Sequence, residues 1–250
     1  MKAVILAAGY DPGLVPDAPA RPKTLVPVAG VPILRRTLTL LQRFGVEQVV
    51  IVVGHLADQV RAAVTSWWPD LDVTYVDNPA FRTTSTAASL ALARPYLLGH
   101  PFLLIDGDVV FEPAVMTRVV EGGPDAVAVR SVGTLGAEEV KVVADAGDRV
   151  VALGKDVPVR GAMGEAIGIQ LLSAATSRRL FAAMALRPHA DLYYEDVLQD
   201  LVLAGVGLQA VDIGSAYACE IDTAADLREA DAHLAAQPAF DPRAPARLAV

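Results

Sequence analysis

The sequence predicts an α/β fold in which a mostly parallel, Rossmann-like sheet is flanked by helices and carries an inserted antiparallel section. Over the first 130 residues, short apolar runs alternate with helical patterns, which is typical of consecutive βαβ units. These runs are continuous in Val, Ile and Leu, as expected for strands covered on both faces. After residue 130 the alternation ends, and two short runs flank the turn Ala146–Gly147–Asp148, which predicts an antiparallel hairpin.

The first half of the chain is predicted to consist of strands and helices in alternation. Gly9 ends the first apolar run, Gly45 ends the first helical pattern, and Asp106 follows a buried run. The predicted strands are Ala3–Ala8, Gln48–Val53, Val73–Val76, Phe102–Ile105 and Ala126–Arg130. The predicted helices are Pro32–Phe44, Leu56–Trp67, Thr86–Tyr96 and Pro113–Val120.

The second half is predicted to contain the antiparallel section and the remaining helices. Ser173 is placed to cap a helix that ends near Leu186, and Asp222 or Thr223 is placed to cap the last helix. The predicted strands are Val140–Ala144, Val150–Leu153, Ala166–Leu172, Gly207–Val211 and Tyr217–Ile221, and the later helices are Tyr193–Ala204 and Ala224–Ala235. We expect one domain over residues 1–236 and a loosely held, proline-containing tail over 237–250.

Length, charge and cysteine usage limit the classes of function. The chain has 250 residues, of which 53% are hydrophobic, and this excludes a disordered protein. A net charge of −8 without a basic cluster argues against nucleic acid as a partner, because duplexes are held by phosphate neutralisation. No apolar run approaches the ~18 residues of a membrane span, so no membrane partner is expected. The single Cys219 excludes an internal disulfide and fits a reducing cytoplasm.

The loop after the first predicted strand is the default ligand site of an open α/β sheet. The strand ends in Ala7–Ala8–Gly9, whose small side chains let backbone N–H groups approach phosphates, and the loop continues to Lys23. It matches neither a Walker A loop nor a GxGxxG dinucleotide loop. A tight turn with a solvated lysine is an equally good interpretation of these residues alone.

Carboxylates are expected at the ends of two further strands. Asp106 and Asp108 flank Gly107 where a buried strand stops, and such a pair is suited to a hard divalent cation bound to phosphate oxygens. Glu220 and Asp222 flank Ile221 and point to one side of their strand. The alternatives are an ordinary turn and a helix N-cap.

Charged residues of the later part also have two interpretations. Lys141 and Lys155 lie on or beside the predicted hairpin. Their side chains are expected either to lie above a phosphate site or to be exposed to solvent. Glu195 and Asp196 open a helix, where negative charge offsets the helix dipole, and a capping role is the simpler interpretation.

Nine stretches become informative in combination: MKAVILAAG, PKTLVPVAGVPIL, GVEQVVIVVG, NPAFRTTSTAASL, LLIDGDVVF, VVALGKD, GEAIGI, YYEDVLQDL and CEIDTAADL. In this order they resemble the nucleotidyltransferase family that joins a nucleoside triphosphate to a phosphorylated or phosphonylated small molecule. The likeness covers nearly the whole chain and is strongest to small cytidylyltransferases acting on phosphocholine, inositol 1-phosphate or phosphonates. It implies a GT-A-like nucleotidyltransferase fold, CTP as the favoured donor, Mg²⁺ as cofactor and pyrophosphate as product, and it is compatible with a homodimer.

The resemblance also implies roles for individual residues. The triphosphate site corresponds to Ala7, Ala8, Gly9 and Lys23, with Asp106 also at the nucleotide site. Lys23, Asp108 and Asp222 are the implied catalytic residues, and Asp108 and Asp222 the implied Mg²⁺ ligands. Ser85 and Ser89 fall in the segment around the base, and Lys155, Glu165, Tyr194 and Glu195 fall where relatives contact the acceptor.

The first loop departs from the family's pattern. Relatives carry Gly-x-Gly-[Ser/Thr]-Arg, whereas Asp11 stands here in place of the second glycine and Gly13 in place of the arginine. The change removes a bidentate phosphate contact, for which Arg21 or Arg35 could substitute. This departure keeps open the alternative of a catalytically weakened or regulatory binding protein. A second alternative, a sugar-phosphate nucleotidyltransferase that uses UTP or dTTP, differs only in donor and acceptor.

Overall fold

The computed structural model describes residues 1–9, 20–131, 133, 135–186 and 190–237, and within these ranges its centre is a sheet of nine strands. The strands are β1 (Lys2–Ala7), β2 (Pro27–Val28), β3 (Val31–Pro32), β4 (Gln48–Val53), β5 (Val73–Asp77), β6 (Phe102–Asp106), β7 (Val109–Phe111), β8 (Ala126–Arg130), β9 (Lys141–Ala144), β10 (Val150–Gly154), β11 (Gly164–Leu172), β12 (Gln209–Asp212) and β13 (Ala218–Glu220). The helices are α1 (Ile33–Arg43), α2 (Ala57–Trp67), α3 (Thr86–Leu92), α4 (Arg94–Leu97), α5 (Pro113–Glu121), α6 (Ala174–Leu186), α7 (Tyr194–Leu203) and α8 (Ala224–Ala235). A short 3₁₀ helix covers Lys23–Leu25.

The central sheet has the strand order β10-β9-β11-β6-β1-β4-β5, and β8 and β12 extend it from β11. Its middle is parallel, with Ile5 of β1 opposite Ile51 of β4 and Ile105 of β6. These pairings confirm the predicted α/β class, with helices around a mostly parallel sheet and an antiparallel section. Because parallel strands end at the same edge, the segments that follow β1 and β6 meet there.

The sheet separates two apolar layers, and the alternation of side chains along β1 shows why. Val4 and Leu6 point into one layer, in which α3, α6 and α7 pack. Ala3 and Ile5 point into the other, in which α1, α2 and α5 pack. Burial on both faces explains why the strands contain continuous apolar runs rather than alternating ones.

The position of β8 differs from the simple helix-then-strand order that the sequence suggests. The strand pairs antiparallel with β11, and β11 itself lies antiparallel beside β6. The start of β11 therefore lies at the carboxyl end of β6, with Ile169 opposite Ile105 and Glu165 further toward the edge. This pairing brings the antiparallel section to the edge where the parallel strands end.

Two local predictions are corrected. The predicted helix Thr86–Tyr96 divides at Ala93 into α3 and α4, because Pro95 has no N–H with which to continue the helical hydrogen bonds. The strand β7 was not predicted, and it pairs antiparallel with β13, so that Val109 lies opposite Glu220.

Helix capping agrees with the sequence at two positions. The Ser173 hydroxyl accepts the N–H of Thr176 at 3.1 Å. Of the two candidates for the last helix, Thr223 is the cap, because its hydroxyl accepts the N–H groups of Ala225 and Asp226. Apart from Gln237, the predicted tail lies outside the described residues, so the boundary at 236 stays a prediction. In the described ranges, no helix has both the length and the apolar character needed to cross a membrane.

Candidate active site

An open cleft of about 760 Å³ lies at the edge where β1 and β6 end. It draws together segments that are far apart in the chain, because the antiparallel β11 and the β7–β13 pair also reach this edge. The predicted site residues among its lining are Ala8, Gly9, Ser85, Ser89, Asp106, Asp108, Lys155, Glu165, Glu195 and Asp222. The structure thus gathers residues from seven separate sequence stretches around one cavity.

Gly107 allows the end of β6 to lie against the end of β1. Its N–H donates to the carbonyl of Leu6 at 2.9 Å. A Cβ atom at this position would lie 2.6 Å from that carbonyl oxygen and 3.0 Å from Cα of Ala7, so only glycine fits without displacement. Ala7 therefore contacts this turn and does not line the cleft, whereas Ala8 and Gly9 do.

The Lys23 ammonium group lies between two carboxylates. Its Nζ is 2.8 Å from Oδ2 of Asp108 and also bonds to Oδ1 of Asp222. The backbone supports this arrangement, because the N–H of Ile221 donates to the carbonyl of Asp108 at 3.1 Å. Burial by itself would lower the pKa of Lys23, but the charge and hydrogen bonds of Asp108, and then of Asp222, raise it above its ordinary value. Lys23 is therefore a permanent positive charge.

Asp108 and Asp222 fit the Mg²⁺ ion that the sequence implies. Both carboxylates bind the same nitrogen of Lys23, so their oxygens converge on one position. No cluster of three potential metal ligands occurs in the part of the chain that the structure describes. A pair is nevertheless sufficient, because Mg²⁺ is commonly bound by one or two carboxylates together with substrate phosphates and water.

Asp106 is held from behind by a buried hydrogen-bond chain. The hydroxyl of Tyr194 donates to Oδ2 of Asp106 at 2.8 Å and accepts from Nε2 of Gln170 at 3.1 Å. Gly168, at a φ of +66°, leaves space for the carboxylate, because a Cβ atom there would lie 2.6 Å from the same oxygen. Burial, followed by the charge of Glu195, raises the pKa of Asp106.

The predicted acceptor contact by Tyr194 is wrong. The side chain is completely buried and its hydroxyl is bonded to Asp106, so it lies behind the cleft wall rather than on it. The adjacent Tyr193 lines the cleft instead. Neighbouring residues at the start of a helix point to different sides. The sequence YYED has two adjacent tyrosines, so it does not show which of them faces the cleft.

Glu195 and Asp196 have separate roles, although both open α7. Asp196 caps the helix by accepting the N–H of Tyr193 at 2.8 Å. Glu195 lies in the first turn of α7, as predicted, and it also lines the cleft with only 6% of its surface exposed. Its Oε2 has no hydrogen-bond partner among the described residues. Burial raises the pKa of Glu195 from its ordinary value to about 7.

Replacing Glu195 by glutamine is expected to stabilise the protein more at pH 8 than at pH 5. The folded-state pKa of about 7 lies above the ordinary 4.5, so the neutral acid's contribution to stability is lost as the pH rises through 7. Glutamine stays neutral, and the gain at pH 8 should be about 2–3 kcal/mol in urea unfolding. The exposed Glu229 provides the control: Glu229→Gln should behave alike at both pH values. An equal effect of Glu195→Gln at both would contradict the assignment.

The other predicted contact residues lie along the cleft with defined partners. The Ser89 hydroxyl accepts the side-chain amide of Asn78 at 3.0 Å, and Ser85 precedes α3. Lys155 bonds to Glu138 at 3.4 Å, and its Nζ lies 4.6 Å from the centre of the Tyr193 ring.

Three further charged residues lie in the site or near it: Arg130 was not predicted, Glu220 lies beside Asp222 as expected, and Lys141 differs from expectation. Arg130 of β8 was not predicted, and it pairs with Glu165 at 2.6 Å. Glu220 lines the cleft, and burial, followed by the charge of Asp108, raises its pKa to about 9. Lys141 is buried and donates to the carbonyls of Gly136 and Ala137, so it is not a phosphate ligand.

The two residues of the first loop that depart from the family's pattern cannot be located relative to the cleft. Asp11 and Gly13 lie outside the described residues. Of the two arginines that could substitute, Arg35 lies over the ring of Trp67 at 5.7 Å, away from the cleft lining, and Arg21 is exposed.

Comparison with known proteins gives one family and several relatives. The family described as "MobA-like NTP transferase domain" matches residues 3–187. The "CMP-5'-(3-aminopropyl)phosphonate synthase" of Streptomyces rubellomurinus is 37% identical over 92% of this chain, and the match covers 38% of that protein. The "Bifunctional IPC transferase and DIPP synthase" of Rubrobacter xylanophilus is 30% identical over 90% of this chain and 50% of its own length. The chain thus spans half or less of these relatives.

Solved structures confirm the fold. The inositol-1-phosphate CTP transferase from T. maritima superposes with a TM-score of 0.78 at 22% identity, over 96% of this chain and 98% of the other. The CTP:phosphocholine cytidylyltransferase from Streptococcus pneumoniae superposes with a TM-score of 0.75 at 22% identity, over 93% and 98%. At such identities the likeness concerns architecture.

Proposed function

This chain belongs to the family of MobA-like NTP transferase domains, and on that basis we propose that it transfers CMP from CTP to a phosphorylated or phosphonylated small molecule, with release of pyrophosphate. The observation that carries the proposal is the position of Lys23 between Asp108 and Asp222 at the end of the central strands. A fold alone does not require charged groups from three separate segments to converge on one point.

The residues of the chain would act by positioning and by charge. Lys23 would bind the triphosphate, and the backbone at Ala8 and Gly9, which line the cleft, would contact phosphate oxygens. Asp108 and Asp222 would hold Mg²⁺, which supplies neutralisation of phosphate charge when bound. Ser85 and Ser89 would border the base, beside the start of α3.

The proposed reaction needs no proton abstraction from the acceptor. A phosphate or phosphonate oxygen is largely ionised near neutral pH and can attack the α-phosphorus directly. The new P–O bond forms opposite the bond between the α-phosphorus and pyrophosphate. That bond breaks, and pyrophosphate leaves with its electron pair. Lys155 and the Arg130–Glu165 pair, which lie along the cleft, would orient the acceptor.

CTP is the favoured donor because cytidine chemistry appears in the name of the Streptomyces relative, which matches 92% of this chain. The Streptomyces protein is named for a CMP-phosphonate product, and the T. maritima structure for CTP. A cytoplasmic location and a homodimer remain predictions, for which fractionation and light scattering are the direct measurements.

We expect CTP with Mg²⁺ to raise the melting temperature more than ATP, GTP or UTP does. A ligand at about 100 times its Kd stabilises the native state by about 2.7 kcal/mol, which corresponds to a shift of about 5–10 °C for a chain of this size. Pyrophosphate release is then measured with each nucleotide against phosphorylated alcohols and phosphonates. A larger shift and faster release with UTP would favour a sugar-phosphate transferase. Binding without release by any acceptor would favour a regulatory protein.

A further inference from the structure

The start of α3 is capped by the stretch of chain that leads into α7. The N–H of Ser85, the N-cap residue, donates to the carbonyl of Ala190 at 2.7 Å. The N–H of Ala87 donates to the carbonyl of Leu192 at 3.1 Å. The first N–H groups of a helix have no partner within the helix itself, so these two carbonyls supply acceptors that a side chain often provides. The segment 190–192 is therefore attached to the start of α3.

Thr86 completes this attachment in the opposite direction. Its hydroxyl oxygen accepts the N–H of Tyr194, the first residue of α7, at 3.0 Å. Tyr194 has no exposed surface, so water is not available to replace this acceptor. Thr86 thus caps α7 from a different helix.

The two helix starts contribute different parts of the cleft lining. Ser85 and Ser89, on the α3 side, border the proposed base site. Tyr193 and Glu195, on the α7 side, line the cleft beside Lys155, which is proposed to orient the acceptor. The placement of the acceptor relative to the nucleotide therefore depends on how the two helix starts are held together.

The start of α7 is also attached to the end of β6. The hydroxyl of Tyr194 donates to Oδ2 of Asp106 at 2.8 Å, two residues before the proposed metal ligand Asp108. The backbone of Tyr194 is thus fixed by Thr86 and its side chain by Asp106. With only the second contact, the helix start would be free to turn about it.

We propose that Thr86 is a positioning residue for nucleotidyl transfer: it holds the acceptor side of the cleft against the nucleotide side, so that the acceptor oxygen meets the α-phosphorus in line. The inference rests on the proposed function and adds to it a residue that acts through Tyr194. In-line attack needs the reacting atoms about 3–3.5 Å apart, and a displacement of about 1 Å can lower the rate about 100-fold. Because Thr86 itself lines the cleft, the test must separate this role from direct contact with the nucleotide.

Thr86→Val preserves the shape of the side chain and removes its hydroxyl. Pyrophosphate release with CTP and Mg²⁺ is measured for 2-aminoethylphosphonate, phosphocholine and inositol 1-phosphate. For each acceptor that the wild type uses, we expect a higher acceptor KM and a lower kcat, which together reduce kcat/KM by about 10- to 100-fold. The shift in melting temperature caused by CTP should stay within about 1 °C of the wild-type shift. Mere loss of folded protein would lower kcat and leave the acceptor KM unchanged.

Two further variants identify the hydroxyl group as the cause. Thr86→Ser retains the hydroxyl and should keep kcat/KM within about threefold of the wild type. Thr83→Val makes the same change at an exposed position, where the hydroxyl donates to the carbonyl of Ala80 at 3.2 Å. We expect this control to retain the acceptor KM of the wild type.

Hydrogen exchange provides a measurement that needs no acceptor. CTP with Mg²⁺ should slow amide exchange over residues 190–197 by about tenfold in the wild type, because a base bound beside α3 fixes the helix start to which this segment is bonded. In Thr86→Val the effect of CTP on the same residues should fall below about threefold.

The outcomes separate this inference from the proposed function. A smaller CTP shift with an unchanged acceptor KM in Thr86→Val would assign Thr86 to the nucleotide site and overturn its positioning role, as would wild-type kinetics. Turnover of none of the three acceptors by the wild type would count against the proposed transfer, and hydrogen exchange would then decide on Thr86. Slower exchange with CTP in the wild type alone would support the link, whereas the same response in both proteins, or none, would overturn it.

Discussion

Replacing Asp108 by asparagine is expected to lower kcat/KM for pyrophosphate release by on the order of 10³-fold, while the protein remains folded. The carboxylate follows β6 at the cleft edge and is 28% exposed, so its loss removes charge without opening a cavity in the core. Asparagine preserves the shape but cannot neutralise Lys23 or bind Mg²⁺ strongly. Several kcal/mol of transition-state stabilisation are involved when a metal ligand of this kind is lost, and each 1.36 kcal/mol is a factor of ten.

The measurement is steady-state pyrophosphate release over a range of Mg²⁺ concentrations, with circular dichroism as the check on folding. Asp222→Asn should behave similarly, whereas Glu229→Gln, which removes an exposed charge from the same cleft, should stay within about threefold of the wild type. Near-normal release by Asp108→Asn at saturating Mg²⁺ would show that this carboxylate is not part of the catalytic machinery.

Lys23→Met should reduce kcat/KM by about 100- to 1000-fold, because it removes the ammonium group that bonds to both Asp108 and Asp222. The variant should also unfold at a lower temperature, since two carboxylates then face each other without a cation. As Asp222 is 59% exposed, we expect a loss of about 1–2 kcal/mol rather than the full effect of a buried pair.

Added Mg²⁺ separates the effect of Lys23→Met on stability from its effect on activity. Added Mg²⁺ should restore part of the melting temperature of Lys23→Met, because the ion replaces the missing positive charge, but it should not restore activity. Lys2→Met is the matched control, since Lys2 lies at the opposite end of β1 and donates to the carbonyl of Tyr96. A Lys23→Met protein with wild-type turnover would exclude Lys23 as the triphosphate ligand.

Local sequence patterns were sufficient to predict most of the fold. The apolar runs of β1, β4 and β6 and the helical pattern of α1 are local properties, and their boundaries agree with the structure to within one or two residues. Turn chemistry likewise predicted the two carboxylates where β6 ends, because Gly107 permits the close approach to β1 that brings the turn to the cleft.

Long-range pairing was decided only by the tertiary structure. The β7–β13 pair sets Asp222 beside Asp108, and the antiparallel β11 brings Glu165 to the same edge, yet the partner of a short strand is not encoded in its own residues. The roles of Tyr193 and Tyr194 could not be separated by sequence for a similar reason: which of two adjacent side chains faces the cleft depends on how α7 packs against the sheet. Packing geometry, which sums contacts from distant segments, therefore determined the site, whereas local propensity determined the elements that form it.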